Sequence, residues 1–105
     1  MATKTPQLKL KNEVPKILER DTQKQIKTFL QYQGWFVVKI HQSMGSHKGI
    51  ADLYALRGGV GVWIEVKTPT GRQSQDQQKF QQEVEAHGGT YILARGIDDL
   101  GGIMT

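Results

Sequence analysis

Glu65-Val66-Lys67 is where residue types and spacing in this chain first suggest chemistry. On a β-strand, residues two apart point to the same face, so Glu65 and Lys67 share one face while Ile64 and Val66 take the opposite, core-facing one. Alone, a Glu beside a Lys is an ordinary surface pair worth under ~1 kcal/mol. Asp52 changes that balance. It lies in Gly49-Ile50-Ala51-Asp52-Leu53, an apolar segment behind a glycine-containing loop. Aspartate is disfavoured in such a strand, and a buried one must pair or bind a metal. A hairpin from Leu53 to Ile64 brings Asp52 and Glu65 together on adjacent strands. Two close carboxylates repel, and a divalent cation relieves the repulsion. Oxygen ligands select a hard ion such as Mg2+ or Mn2+. A cation held this way acidifies water and polarises a phosphate, and Lys67 adds positive charge where negative charge develops. The chemistry outlined is hydrolysis of a phosphodiester.

These residues need elements to position them. Leu18, Thr22, Ile26, Phe29 and Leu30 recur at helical spacing, which predicts a helix over about Ile17 to Gln33, stopped by Gly34. Trp35 to Ile40 is aromatic and β-branched and reads as a strand. Gln42 to Gly49 is a polar, glycine-bearing loop. Ala51 to Leu56 and Val62 to Lys67 read as two further strands, joined by Arg57-Gly58-Gly59-Val60-Gly61 as a turn and ended by Thr68-Pro69. Those glycines lack the strand-to-helix setting of a phosphate-binding loop. Ser74-Gln75-Asp76-Gln77 has capping-box spacing and opens a second helix, with Phe80, Val84 and His87 as its inward stripe and Gly88-Gly89 as its stop. Thr90 to Ala94 is a fourth strand, and Ile97 to Ile103 a short terminal helix. The order is α-β-β-β-α-β.

Composition sets the frame. The chain has 105 residues, a formal net charge of +4 and no cysteine, enough for one domain without disulfides or a Cys-based zinc site. No apolar run approaches the ~20 residues of a membrane span, and the polar, basic start lacks an apolar signal core. The expectation is a cytoplasmic protein with a flexible basic arm at residues 1–14 and a single domain at 15–105. Lys4, Lys9, Lys11 and Lys16 crowd the first sixteen residues, and Lys24, Lys27, Lys39, His41, His47 and Lys48 follow. Read blandly, this is a solvated surface; read functionally, it is a track for phosphates.

Asp followed by Glu-x-Lys on the next strand is the pattern of the PD-(D/E)xK nuclease superfamily. Gly49-Ile50-Ala51-Asp52-Leu53, Trp63-Ile64-Glu65-Val66-Lys67-Thr68-Pro69, Gly71-Arg72-Gln73-Ser74, Gln77-Gln78-Lys79-Phe80, His87-Gly88-Gly89 and Asp98-Asp99-Leu100 together resemble the VRR-NUC family, the virus-type replication-repair nucleases of that superfamily. The resemblance covers about Glu19 to Leu100. It implies an α/β, restriction-endonuclease-like fold: a mixed, about four-stranded sheet flanked by helices. It implies Asp52 and Glu65 as metal ligands, the Val66 carbonyl as a further one, Lys67 as the catalytic lysine, and Gln77 as the glutamine near the active site. The family's helical Glu followed four residues later by Gln is matched by Glu19 and Gln23, with Glu13 and Asp21 as rivals for that ligand. One departure stands out: Ala51 occupies the place of the family's usual proline, which removes a rigid constraint without removing a ligand.

The implied activity is metal-dependent DNA endonuclease cleavage using Mg2+ or Mn2+, with Holliday junctions or other branched DNA as the first substrate to try. A stand-alone member of this size resembles phage proteins. Cutting two opposed strands asks for two sites and hence a homodimer, with the strands around Trp63 and the glycine-rich hairpin as candidate surfaces. Lys48, His47 and Arg72 are the candidate DNA contacts. His41 and His47 lack a four-ligand zinc set; His87, at a helix end, reads as structural, and Trp35 and Trp63 as core or interface. The competing readings are a non-catalytic DNA-binding module with a nuclease-like fold, and an interaction protein whose acidic and basic residues form a surface cluster.

Overall fold

A computed structural model describes residues 18–103. The basic arm, Pro15 and Glu13 lie outside the described residues. The first helix, α1 (Glu19–Tyr32), buries Thr22, Ile26 and Leu30 at four-residue spacing. Fully burying an aliphatic side chain contributes roughly 1.5–3 kcal/mol, so Ile26 and Leu30 anchor the helix to the sheet. Gly34, at φ 91°, then turns the chain into the first strand.

Four strands follow: β1 (Phe36–Lys39), β2 (Leu53–Arg57), β3 (Val60–Val66) and β4 (Thr90–Ala94). They form one sheet in the order β1-β2-β3-β4. β1 and β3 each pair antiparallel with β2, and β4 pairs parallel with β3 through the crossover helix α2 (Gln75–Ala86). The sheet is therefore mixed, with β1 and β4 at its edges. A 3-10 helix (Ile97–Ile103) closes the described chain.

Both faces of β3 are covered. Val62, Ile64 and Val66 enter the main core with Ile26, Leu30, Val37, Leu53, Ala55 and Leu100. On the other face, Trp63 and Leu93 pack with Ala51, Phe80 and Tyr91 under α2. Trp63 meets Phe80 edge-on at 5.2 Å between ring centroids and Tyr54 at 4.8 Å. Trp35 is core, with the Arg57 guanidinium 4.8 Å from its ring centre. Among the described residues no helix is long and apolar enough to cross a membrane.

Three expectations are corrected. β3 starts at Val60, leaving Gly58 and Gly59, both at positive φ (58° and 81°), as a two-residue turn. Such tight hairpin turns need positive φ at both central positions, hence two glycines. Gly61 belongs to the strand instead, paired with Leu56, and is a glycine because a side chain there would overlap the Tyr54 ring and hydroxyl. β2 starts at Leu53, so Asp52 stands just before it, bonded to both neighbours: its N–H donates to the Ile64 carbonyl and its carbonyl accepts from Ile40 N. His87 is exposed rather than inward, since it caps α2 after the helix has left the sheet, and its Nδ1 lies 2.7 Å from the Glu83 carbonyl.

Candidate active site

The β2–β3 register pairs Leu53 with Ile64. Asp52 therefore falls beside Glu65, at the end of the sheet where β3 finishes. Asp52 is 8% exposed and Glu65 1%. Asp52 is fixed by two donors: Val66 N–H reaches Oδ2 at 2.8 Å, and the Gln42 amide Nε2 reaches Oδ1 at 3.2 Å. Glu65 Oε2 accepts from Gln77 Nε2 at 2.9 Å and lies 3.6 Å from Lys67 Nζ. Glu65 Oε1 is buried without a hydrogen-bond partner among the described residues.

Burying acidic groups together has an electrostatic consequence. The Glu65 carboxyl is pushed up to about 8, first by burial, then by the Asp52 charge, against which Lys67 works; a hydrogen bond with Asp52 and the Glu19 charge raise it further. Glu19, the first residue of α1, is half-buried, and its pKa is raised by burial and then by Asp52, with Lys67 pulling it down. Of the three candidates for the helical acid, Glu19 thus feels the charges of the cluster. Asp21 is exposed on α1, and Glu13 lies outside the described residues.

Local folding explains the aim of each group. Glu65 is the penultimate residue of β3 and Lys67 follows its last, where Lys67 N–H donates to the Ala94 carbonyl at 3.0 Å and extends the parallel ladder. Val66 touches the cluster through its N–H. Gln77 is the third residue of α2: its Oε1 accepts from Ser74 N at 2.8 Å while its N–H donates to Ser74 Oγ at 3.1 Å, completing the capping box. With Oε1 committed to the cap, Nε2 points to Glu65. Gly49, at φ 72°, lets the preceding loop approach α2; a side chain there would overlap the Asp76 carbonyl.

The residues expected to contact DNA lie in the loops that precede Asp52 and follow Lys67 in the chain. Lys48 and His47 lie exposed in the loop before Asp52, although the His47 ring packs edge-on against Phe80 at 5.5 Å and its Nδ1 lies 3.0 Å from the Lys48 carbonyl. Arg72 is exposed in the loop after β3.

Two residues were missed. Gln42 donates both to Asp52 and to the Ile50 carbonyl, at 2.9 Å, and so staples the loop to the acid. Arg95 donates to the carbonyls of Thr68 at 2.6 Å and Gly71 at 2.7 Å, clamping the turn that follows Lys67. Nothing in the sequence sets Gln42 apart from its polar loop neighbours, and Arg95 acts across more than twenty positions of chain.

The cluster fits a hard divalent cation. Its buried, unpartnered carboxylate oxygen and its mutual repulsion are both relieved by positive charge. Among the described residues no group of three His, Cys, Asp or Glu side chains forms a ready cage. Mg2+ does not need one, because it commonly binds one or two carboxylates and keeps several waters.

Fold and site together define a restriction-endonuclease-like nuclease domain of the PD-(D/E)xK type. The family model of the archaeal Holliday junction resolvases (Hjc) matches residues 17–85, and the chain belongs to that family. A solved structure described as a VRR_NUC domain superposes with a TM-score of 0.70 over 82% of this chain and 92% of its own, at 22% identity. The expected VRR-NUC likeness is thus met in the fold, whereas the family that the sequence matches is Hjc. No curated protein matches.

Proposed function

We propose that the chain is a metal-dependent DNA endonuclease that cuts branched DNA, Holliday junctions foremost. The observation that carries this reading is the buried Asp52–Glu65 pair, with a free Glu65 oxygen inside and Lys67 3.6 Å from the other. Asp52 and Glu65 would hold Mg2+ or Mn2+, with Glu19 and the Val66 carbonyl completing the set. The bound cation supplies Lewis acidity toward the phosphate and acidifies water.

The protein's own groups do the rest. Val66 N–H and Gln42 orient Asp52, and Gln77 orients Glu65. Lys67, held by Glu65, presents positive charge toward the scissile phosphate as its charge grows. Lys48, His47 and Arg72 bind neighbouring phosphates, and the basic arm at 1–14 adds sequence-independent attraction.

Resolving a junction takes two cuts, so the reading includes a two-fold dimer. Phe36, Val38 and Leu56 form an exposed apolar stripe on the sheet face beside α2, and a second copy would cover it. The setting proposed is the cytoplasm of a phage-infected host.

The test is a panel of labelled four-way junction, flap, single-stranded and linear duplex DNA with Mg2+, Mn2+ or EDTA. Metal-dependent cutting with preference for the junction is expected. Tight DNA binding with no cutting under any metal would leave a binding module instead. Sedimentation at micromolar concentration should show a dimer; a strict monomer would remove that part.

A further inference from the structure

Beside the acidic cluster, on the α1 face of the sheet, lies a cleft of about 340 Å³. Arg20, Gln23, Lys24 and Lys27 form its helical wall, and Lys39 and Leu53 its floor at the β1 edge. Chain connectivity ties it to the site: Arg20 follows Glu19, Leu53 follows Asp52, and Gln23 stands one turn beyond Glu19. Lys39 pairs with Leu53 in the β1–β2 register, at the end of β1 nearest the cluster.

Two observations separate this cleft from an ordinary solvated face. First, it is concave, with cations on its helical wall and at its floor. Second, among the described residues no ion pair engages Arg20, Lys24, Lys27 or Lys39. The one acid lining it, Asp21, is outnumbered and lies outside salt-bridge range of them. Clustered like charges left uncompensated are a standing repulsion that a polyanion relieves. At 1.5 Å rise per residue, Arg20 to Lys27 spans ~10 Å of helix, about three base-pair steps measured along a duplex axis, at ~3.4 Å each.

We propose that this cleft seats the sugar–phosphate backbone of the DNA arm adjoining the cleavage point, with Lys24, Lys27 and Lys39 as its phosphate contacts. The proposal rests on the nuclease reading for the position of the cut, and on the cleft alone for the binding. Contacts of this kind carry no sequence information and fix register, so the cleft holds the arm while the acidic cluster meets the scissile phosphate.

The experiment compares wild type with Lys24→Gln/Lys27→Gln/Lys39→Gln, which keeps helix-compatible side chains, and with Lys79→Gln, a lysine exposed on α2. Labelled junction DNA is titrated in EDTA by fluorescence anisotropy at several salt concentrations, with arms shortened stepwise. The triple variant should bind at least tenfold more weakly at ~0.15 M salt, with a salt slope shallower by about 2–3. Arm shortening should weaken wild type and leave the triple variant indifferent. Lys79→Gln should match wild type within a factor of two. Should the triple variant prove unfolded by circular dichroism, the three single variants replace it, each flattening the slope by about 1. An unchanged slope, or a loss no greater per charge than Lys79→Gln, overturns the proposal. Wild type that binds through the cleft without cutting in Mg2+ or Mn2+ would keep the cleft and remove the nuclease reading. Wild type that cuts while the triple variant binds as before would do the reverse.

Discussion

Gln77 joins the cap of α2 to the acidic cluster: one end accepts from Ser74 N at 2.8 Å and the other donates to Glu65 Oε2 at 2.9 Å. Stability and site geometry thus share a single side chain, and two substitutions separate them. Gln77→Glu keeps the capping acceptor, because Glu serves equally at this position, but sets a like charge against Glu65. Melting should shift little while cleavage falls roughly 10–100-fold. Gln77→Ala should lose both, with about 1 kcal/mol of stability gone alongside the activity. Denaturant melts run beside single-turnover cleavage would check this; full activity in Gln77→Glu would remove the role given to the glutamine.

Gln42 makes the matching contact to Asp52. Gln42→Leu retains bulk and removes the donor that fixes Oδ1. The expected outcome is a roughly 10–100-fold weaker affinity for Mn2+, read by calorimetry, with cleavage partly rescued by raising the metal concentration. A merely structural role for the loop would lower melting temperature and leave metal affinity unchanged.

Glu65 also sets a pH dependence for the metal-free protein. Its folded pKa, about 8, lies above the ordinary value of 4.5 because burial and Asp52 outweigh Lys67. Between those values the folded chain keeps a proton that the unfolded chain has released. Stability from this group is therefore full below about 4.5 and declines as pH rises toward 8. Glu65→Gln removes the titration, so in EDTA its melting temperature should gain on wild type steadily from pH 5 to pH 8. Saturating Mg2+ should narrow that gap. A gap that stays constant with pH would contradict the assigned environment of Glu65, amid Asp52, Glu19 and Lys67.

Much of this was legible in the sequence because it rests on local rules. Thr90 to Ala94 is bounded by glycines and reads as the strand it is. Ser74 and Gln77 announce their cap by spacing alone. Asp52, Glu65 and Lys67 could be brought together from strand parity and one hairpin. What was not legible depends on contacts distant in sequence. Gly61 pairs with Leu56 as a strand residue and is a glycine because Tyr54 fills its side-chain space, so it was misread as part of the turn. Gln42 and Arg95 take their roles from carbonyls and a carboxylate that only the folded chain brings near. His87 looked inward by helical spacing, but α2 ends as it leaves the sheet, and packing overrides periodicity there.

The central claim is that Lys67 works beside a metal-holding Asp52–Glu65 pair, and Lys67→Ala tests it most directly. Single-turnover cleavage of a four-way junction would be measured in Mg2+ and Mn2+, with junction affinity and melting temperature followed in parallel. Wild type should cut in metal and not in EDTA. Lys67→Ala should lose cleavage by 10²-fold or more while still folding and binding the junction. Cleavage undiminished in Lys67→Ala, or wild-type cutting that persists in EDTA, would contradict the account.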